Sequence, residues 1–490
     1  VNLPCSDARK NAAIDRFIDC EEDVRMHDAS LSYDDMSQFK RLAMHHLGEV
    51  MSVIDRKIYD GHITPKHGPG ATADKLAGNS KYCQTEWPRR LEEGYFPHGE
   101  FLFSSWSQSN PMASDFTDVN ILEPGEELPV RVITVPKTLK TPRIIAIEPT
   151  CMQYTQQAIM EILVKEIENH PVLKFFIGFS DQEPNQRLAR MGSINGSLAT
   201  LDLSEASDRV SNQHVRAMSG YFHHFSGALD QTRSRKADVP GYGVIRLAKF
   251  ASMGSALCFP IEAMVFFTVV LAGIEDALNH PLSRKDLLGL IGKVRIYGDD
   301  IIVPVDYVRS VVSKLETFGF RVNAGKSFWT GKFRESCGKE YFDGHDISIV
   351  KVREDLPTQR RQVREIISTT SLRNQMYFAG NWKTASWLDD WMEDLIRFPT
   401  IHPTSPALGR HTLLDYQSDK ICPHLHRDLV RGYVVSAPLP PSPLDGYGAL
   451  LKYFLKRGTA SAEPSVESKH LERAGRPEAV YIKLRWVPSA

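Results

Sequence analysis

Apolar residues recur along the chain at two rhythms. Val308, Val311, Val312, Leu315 and Phe318 follow the i, i+3, i+4, i+7 spacing of a helix face, with Asp306 placed to cap the start and Gly319 to end it. In KVRIYGDDIIVP (293–304), β-branched and apolar residues flank Gly298-Asp299-Asp300, the pattern of two short strands joined by a tight turn. ATLDLSEASDRVS (199–211) reads as a strand from Leu198 to Leu203, ending at Asp202 and breaking into a helix near Glu205. The most apolar run, CFPIEAMVFFTVVLAGI (258–274), is interrupted by Pro260 and Glu262 and falls short of the roughly 20 residues a bilayer needs, which predicts a buried helix.

These elements suggest three stretches. Residues 1–125 mix amphipathic helices with loops such as HGPGATADKLAGNS (67–80). From 130 to 350, strand-like and helical runs alternate, which predicts an α/β or α+β core. Beyond 350 the pattern reads as mainly helical, up to a Pro-rich strap, SAPLPPSPLDGYG (436–448), and a polar, mobile stretch over 456–478.

Composition changes this picture little. A length of 490 residues calls for several domains or one lobed enzyme, and 42% hydrophobic with 24% charged residues is ordinary for a folded chain. The net charge of −1 shows no global preference for nucleic acid, so any basic channel must arise locally. Seven dispersed cysteines without a C-x-x-C pair fit reduced thiols and an intracellular protein. The opening VNLPCSDARKNAAIDRF lacks the apolar core of a signal peptide, and Val1 in place of Met suggests a trimmed or incomplete N-terminus.

Candidate chemistry gathers in the central stretch. Asp299 and Asp300 at a hairpin tip repel one another and need water or a cation; hard oxygen ligands suit Mg²⁺. A solvated Asp-rich turn is the plainer reading of Gly-Asp-Asp in isolation, and Asp202, at the end of another strand, shifts the balance. Three convergent carboxylates can hold two Mg²⁺ ions about 4 Å apart, one activating a 3′-hydroxyl and one stabilising a leaving pyrophosphate. KFASMGSALCFPIEAMVFF (249–267) adds a small-residue loop, Ser252 to Ala256, that lets a sugar or backbone approach. VITVPKTLKTPRIIAIEP (132–149) spaces Lys137, Lys140 and Arg143 by three, fit to line a triphosphate channel or to protect a solvated edge strand.

Other motifs carry less. GFRVNAGKS (319–327) is no P-loop, because five residues separate Gly319 from Gly325 where four are required. Cys422, His424 and His426 lack a fourth zinc ligand at normal spacing. Arg360, Arg361 and Arg364 suit either an RNA backbone or a solvated helix face.

The order of these blocks resembles the RNA-directed RNA polymerases of viruses, and their wording is most similar to the replicase β subunits of single-stranded RNA bacteriophages, the Qβ-like levivirus family. ATLDLSEASD is similar to that family's motif A, ASMG with its helix to motif B and YGDD to motif C. VPKTLKTPRIIAIEP, SDQEPNQRLARMGS (180–193) and FRESCGKEYFDGHD (333–346) extend the resemblance over roughly 65–350. It implies an α+β right-hand polymerase whose palm is built on an antiparallel sheet. The implied division is 1–130 for the N-terminal region and part of the fingers, and 131–195 for fingers with the basic segment. Palm motifs A to E, with a possible fingers insertion, fill 196–350, a helical thumb-like region 351–435, and a strap and mobile tail 436–490.

By the same resemblance, Asp202, Asp299 and Asp300 are metal ligands for two Mg²⁺, with Mn²⁺ as a substitute, and Lys137, Lys140 and Arg143 face the triphosphate. Lys326, in NAGKSF, matches the motif D lysine proposed as general acid for pyrophosphate. Ser207 and Asp208 sit where the family senses the ribose, with Ser252 and Gly254 nearby. RNA template and product, ribonucleoside triphosphates and host bacterial translation proteins are the implied partners, and the bacterial cytoplasm the implied compartment. Two departures stand out: Ser255 replaces the family's usual Asn after the motif B glycine, and the chain is shorter than typical relatives.

Three alternatives remain. Reverse transcriptases share the chemistry but usually carry a bulky aromatic residue five positions after the first aspartate, where this chain has Ser207. A non-catalytic polymerase-like RNA-binding subunit has no chemical need for all three aspartates, and a metal-dependent nuclease would cleave without incorporating nucleotides.

Overall fold

The computed structural model describes residues 5–102, 119–135, 142–436, 443–458 and 480–490. The chain forms two compact units, Cys5–Ser348 with Ser442–Ala460, and Ile349–Pro441 with Val1–Pro4 and Ser461–Ala490. The architecture is α+β, and its sheets are mainly antiparallel.

The larger unit is organised around the apolar helix Cys258–Leu278, which is buried along almost its whole length. Among the described residues this is the one helix long and apolar enough to cross a membrane, and 94% of that apolar window is enclosed by protein. Helix Tyr33–Tyr59 joins the same core through Phe39, Leu42, Leu47, Val50, Met51 and Ile54, a stripe at helical spacing. Helix Val308–Thr317 adds Val308, Val311 and Leu315, as the periodicity predicts. Each such side chain contributes about 1.5–3 kcal/mol on burial. Gly319 ends that helix, its N–H bonding Glu316 O at 2.9 Å. Asp306 does not cap it, however. A 3₁₀ turn, Val305–Tyr307, leads from Pro304 into the helix and makes Tyr307 the N-cap, with no side-chain cap bond.

Two sheets of this unit bear on function. A three-stranded antiparallel sheet has the order Leu198–Leu201, Asp300–Pro304, Arg295–Tyr297. A four-stranded sheet has the order Arg143–Ile147, Val130–Val135, Lys236–Val239, Gly243–Arg246. The first helix, Asp7–Ser30, packs Ile14 and Phe17 against Val130, Val132, Ala237 and Val239 of the latter.

The smaller unit departs from its helical reading. Two helices, Val363–Phe378 and Trp382–Glu393, are joined by a buried Arg373–Asp389 pair at 2.7 Å. From Thr400 onward the described residues of this unit form short strands joined by loops, and Asp428–Ser436 pairs along its length with Tyr481–Pro488. Arg360 donates to Leu395 O and lies over the Tyr433 ring, and Arg364 bonds Glu354, which gives both arginines partners within the unit. Residues 437–442 of the strap and 459–479 of the polar stretch lie outside the described residues. All seven cysteines are free thiols.

Candidate functional site

Strand register assembles the acidic centre. Ile301 pairs with Leu201 and Pro304 with Leu198, so the antiparallel ladder brings Asp300 opposite Asp202, where strand Leu198–Leu201 stops. Asp300 also pairs with Tyr297, which leaves Gly298 and Asp299 as a two-residue hairpin turn. Gly298 has φ +58°, and a Cβ there would strike the Phe259 ring, so glycine is required on both counts. Asp299 is exposed at the tip, whereas Asp202 and Asp300 are half-buried.

Each half-buried aspartate is held by protein donors. Cys337 N–H donates to Asp300 Oδ1 at 3.1 Å, and Ser336 Oγ lies 3.2 Å from the same oxygen. Asn323 Nδ2 donates to Asp202 Oδ2 at 2.9 Å, and Ser327 Oγ accepts the Asp202 N–H at 3.1 Å. Burial pushes the Asp300 carboxyl up to about 6; the charges of Asp299 and Asp202 add to this and the Cys337 and Ser336 donors oppose it. Cys337 adopts φ +49°, a left-handed conformation costly for a non-glycine residue, as it presents its N–H to Asp300.

The motif A segment differs locally from its sequence reading. The chain does not enter a helix at Glu205. That residue takes φ +57°, a 3₁₀ turn follows over Ser207–Arg209, and the helix proper begins at Asn212. The cause is Arg209, which is buried and bonds Glu205 and Asp23, both at 3.0 Å, fixing the turn. Asp208 accepts from the wholly buried Lys249 at 2.9 Å; Lys249 also pairs with Glu21 of the first helix at 3.1 Å and lies 3.6 Å from the centre of the Phe17 ring. Burial alone would lower Lys249, but Asp208 and Glu21 outweigh it and hold its pKa above the ordinary lysine value. Ser207 is half-buried.

The small-residue loop docks on the strand that follows the basic segment. Ala146 N–H donates to Met253 O at 2.9 Å, and Gly254, at φ +134°, lies so near Ala146 O that a Cβ could not be accommodated. Ser252 is buried, and its Oγ has no hydrogen-bond partner among the described residues. Ser255 donates its hydroxyl to Gln156 Oε1 at 2.9 Å. Arg143 begins strand Arg143–Ile147 and is exposed, while Lys137 and Lys140 lie outside the described residues. Lys326 is exposed in the turn between Asn323 and Ser327, the two residues that hold Asp202.

Sequence reading missed Glu262. Buried in the first turns of the apolar helix, its carboxyl is pushed well above the usual range by burial and by the charges of Asp299 and Asp208. Its signal was an acidic residue inside an otherwise apolar run. Asn185 was likewise missed; it is buried, accepts from Arg295 Nε at 3.1 Å and lies 3.5 Å from Asp300 O.

These carboxylates fit a hard divalent cation, since crowded acids, one of them pushed up, are what such an ion relieves. In their present rotamers no three acidic, histidine or cysteine side chains among the described residues form a ligand cluster. Asp202 and Asp300 are turned instead toward Asn323 and toward Ser336 and Cys337.

The fold and site define an acidic centre at the open end of an antiparallel sheet, the class of site suited to cation-assisted phosphoryl chemistry. Residues 114–383 match the family described as RNA replicase, beta-chain, and the chain belongs to that family. It is 34% identical over 361 residues to the RNA-directed RNA polymerase subunit beta of Qbeta virus (strain MX1), covering 73% of this chain and 52% of that protein. It is 30% identical over 349 residues to the RNA-directed RNA polymerase beta chain of Enterobacteria phage fr, covering 70% of this chain and 59% of the relative. The chain thus spans little more than half the length of these curated relatives. Among solved structures, the in situ BmCPV RNA-dependent RNA polymerase at elongation state aligns over 74% of this chain and 34% of its own, at TM-score 0.43 and 12% identity.

Proposed function

We propose that this chain is an RNA-directed RNA polymerase that replicates a viral single-stranded RNA genome from ribonucleoside triphosphates. The observation that carries the proposal is the register that sets Asp202 opposite Asp300 beside the Gly298-Asp299 turn. In this reading the sheet bearing these residues is the palm, the four-stranded sheet belongs to the fingers, and the smaller unit serves as thumb.

Asp202, Asp299 and Asp300 would hold the two Mg²⁺ ions, with Mn²⁺ as a substitute. Bound there, the metal supplies Lewis acidity to the attacking 3′-hydroxyl and the departing pyrophosphate. Arg143, with Lys137 and Lys140, holds the triphosphate by charge. Lys326 gives a proton to the pyrophosphate oxygen. Asp208, oriented by Lys249, and Ser252, whose hydroxyl has no partner among the described residues, face the ribose beside Gly254. Ser207 leaves room for a 2′-hydroxyl where reverse transcriptases place an aromatic ring.

The phage origin of the relatives supports bacterial translation proteins as partners and the bacterial cytoplasm as compartment. The test is Mg²⁺-dependent incorporation of labelled ribonucleotides on an RNA template, with and without bacterial extract. Asp299→Asn should lower incorporation at least about a hundredfold, as loss of a metal ligand does. Unchanged incorporation in that variant would remove the metal assignment. Preference for deoxynucleotides would point to a reverse transcriptase.

A further inference from the structure

An open cavity of about 750 Å³ in the larger unit is lined by Arg25, Arg216, Arg233, Arg235 and Arg246, against which stand only Asp28 and Asp230 among its charged lining residues. Five cations against two anions leave an excess of three positive charges, in a chain whose net charge is −1. None of these residues belongs to the acidic centre.

The arginines are anchored with donors to spare. Asp230 Oδ1 accepts from Arg216 at 3.1 Å and Oδ2 from Arg235 at 2.7 Å. Burial would raise the Asp230 carboxyl, but Arg235 and Arg216 outweigh it and hold it below its ordinary value, so the aspartate is a charged pedestal for two guanidiniums. Each guanidinium has five N–H donors, and Asp230 occupies one oxygen's worth on each. Arg25 is tied to Arg246 O at 2.7 Å, and the exposed Arg246 side chain makes no hydrogen bond or ion pair among the described residues. Arg233 is different: buried, it donates to Leu247, Lys249 and Phe250 carbonyls at 2.8–3.0 Å and adds charge rather than free donors.

The nearby helix end does not supply the attraction. At the start of helix Asn212–Ser219, Ser211 Oγ accepts the Gln213 and His214 N–H groups and Ala248 O accepts that of Asn212. What remains is a set of oriented, partly exposed guanidiniums, whose forked donors match phosphate oxygens.

We infer that this arginine cavity binds phosphate, carried either by an RNA backbone or by a free triphosphate. RNA as a source rests on the polymerase reading, whereas the phosphate chemistry does not.

The test uses the full chain in EDTA, so that binding is read whether or not nucleotides are incorporated. Anisotropy of a labelled single-stranded RNA and calorimetry with inorganic triphosphate are compared for wild type, Arg216→Gln/Arg246→Gln and Arg216→Lys/Arg246→Lys. If RNA is the source, the Gln pair weakens RNA binding at least about tenfold and makes the slope of log K against log salt shallower by about 1.4, roughly 0.7 per lost phosphate contact, while the Lys pair keeps the slope. If a free triphosphate is the source, only its binding weakens. Unchanged affinity for both ligands, with unchanged circular dichroism, would overturn the inference. Should the Gln pair unfold, Arg246→Gln alone, at a side chain with no bond to lose among the described residues, decides in the same way.

Discussion

Asp300 is held beside two other carboxylates at a cost in folding free energy. Its pKa rises from 3.8 to about 6, so the protonated form is favoured in the folded chain. The resulting stability is fully present below pH 4 and is lost as pH rises through about 6, about 3 kcal/mol in total. Asp300→Asn keeps an acceptor for Cys337 N–H and removes the charge. In metal-free buffer at pH 8 it should therefore unfold at higher urea than wild type, while incorporating no nucleotide; equal or lower urea midpoints would contradict this account. Gly254 makes the opposite case. Gly254→Ala combines a strained φ of +134° with a clash at Ala146 O, and should cost about 3 kcal/mol, read as a lower urea midpoint. If the variant's midpoint matched wild type, the loop could not be docked on that strand.

At the scale of elements, the Asp299 hairpin and the helix after it were legible because their apolar positions keep a strict period. The turn at Glu205 was not, because it is set by Arg209 and Asp23, the latter 186 residues away in sequence. Strands Asp428–Ser436 and Tyr481–Pro488 were missed because each needs a partner some 50 residues distant to become a strand. Of the candidate site, the three aspartates stand out in the sequence, but the residues that bond Asp202 and Asp300 do not. Asn323, Ser327, Ser336 and Cys337 are small polar residues, common in any loop, and only tertiary structure gives them a task. Lys249 shows how elements are bound together. Lys249→Met removes the buried cation between Glu21 and Asp208, leaving Glu21 only the longer Arg25 ion pair at 3.9 Å, and should cost about 3–5 kcal/mol in urea unfolding. Adding Glu21→Gln should recover part of that loss, and a double variant as unstable as the single one would dissociate the helix from the motif A turn.

For the whole molecule, separated sequence blocks converge on one place. SDQEPNQRLARMGS contributes Asn185, NAGKSF contributes Asn323 and Ser327, and FRESCGKEYFDGHD contributes Ser336 and Cys337, all on Asp202 or Asp300. A cation bound there links to global stability by mass action. Magnesium at a hundred times its Kd should add about 2.7 kcal/mol to unfolding. Thermal melts with and without MgCl₂ should show this as a higher Tm, abolished in Asp202→Asn; an equal shift in that variant would place the ion elsewhere.

The first helix bears on how the molecule is made. Glu21 and Asp23 are synthesised before their partners, which lie 227 and 298 residues downstream, at Ala248 and Arg321. At about 5–20 residues per second a ribosome needs roughly 15–60 s to deliver that span. Over that interval the helix gains its partners one after another, and translation arrested before Arg321 emerges yields a nascent chain in which the first helix still lacks one of its anchors.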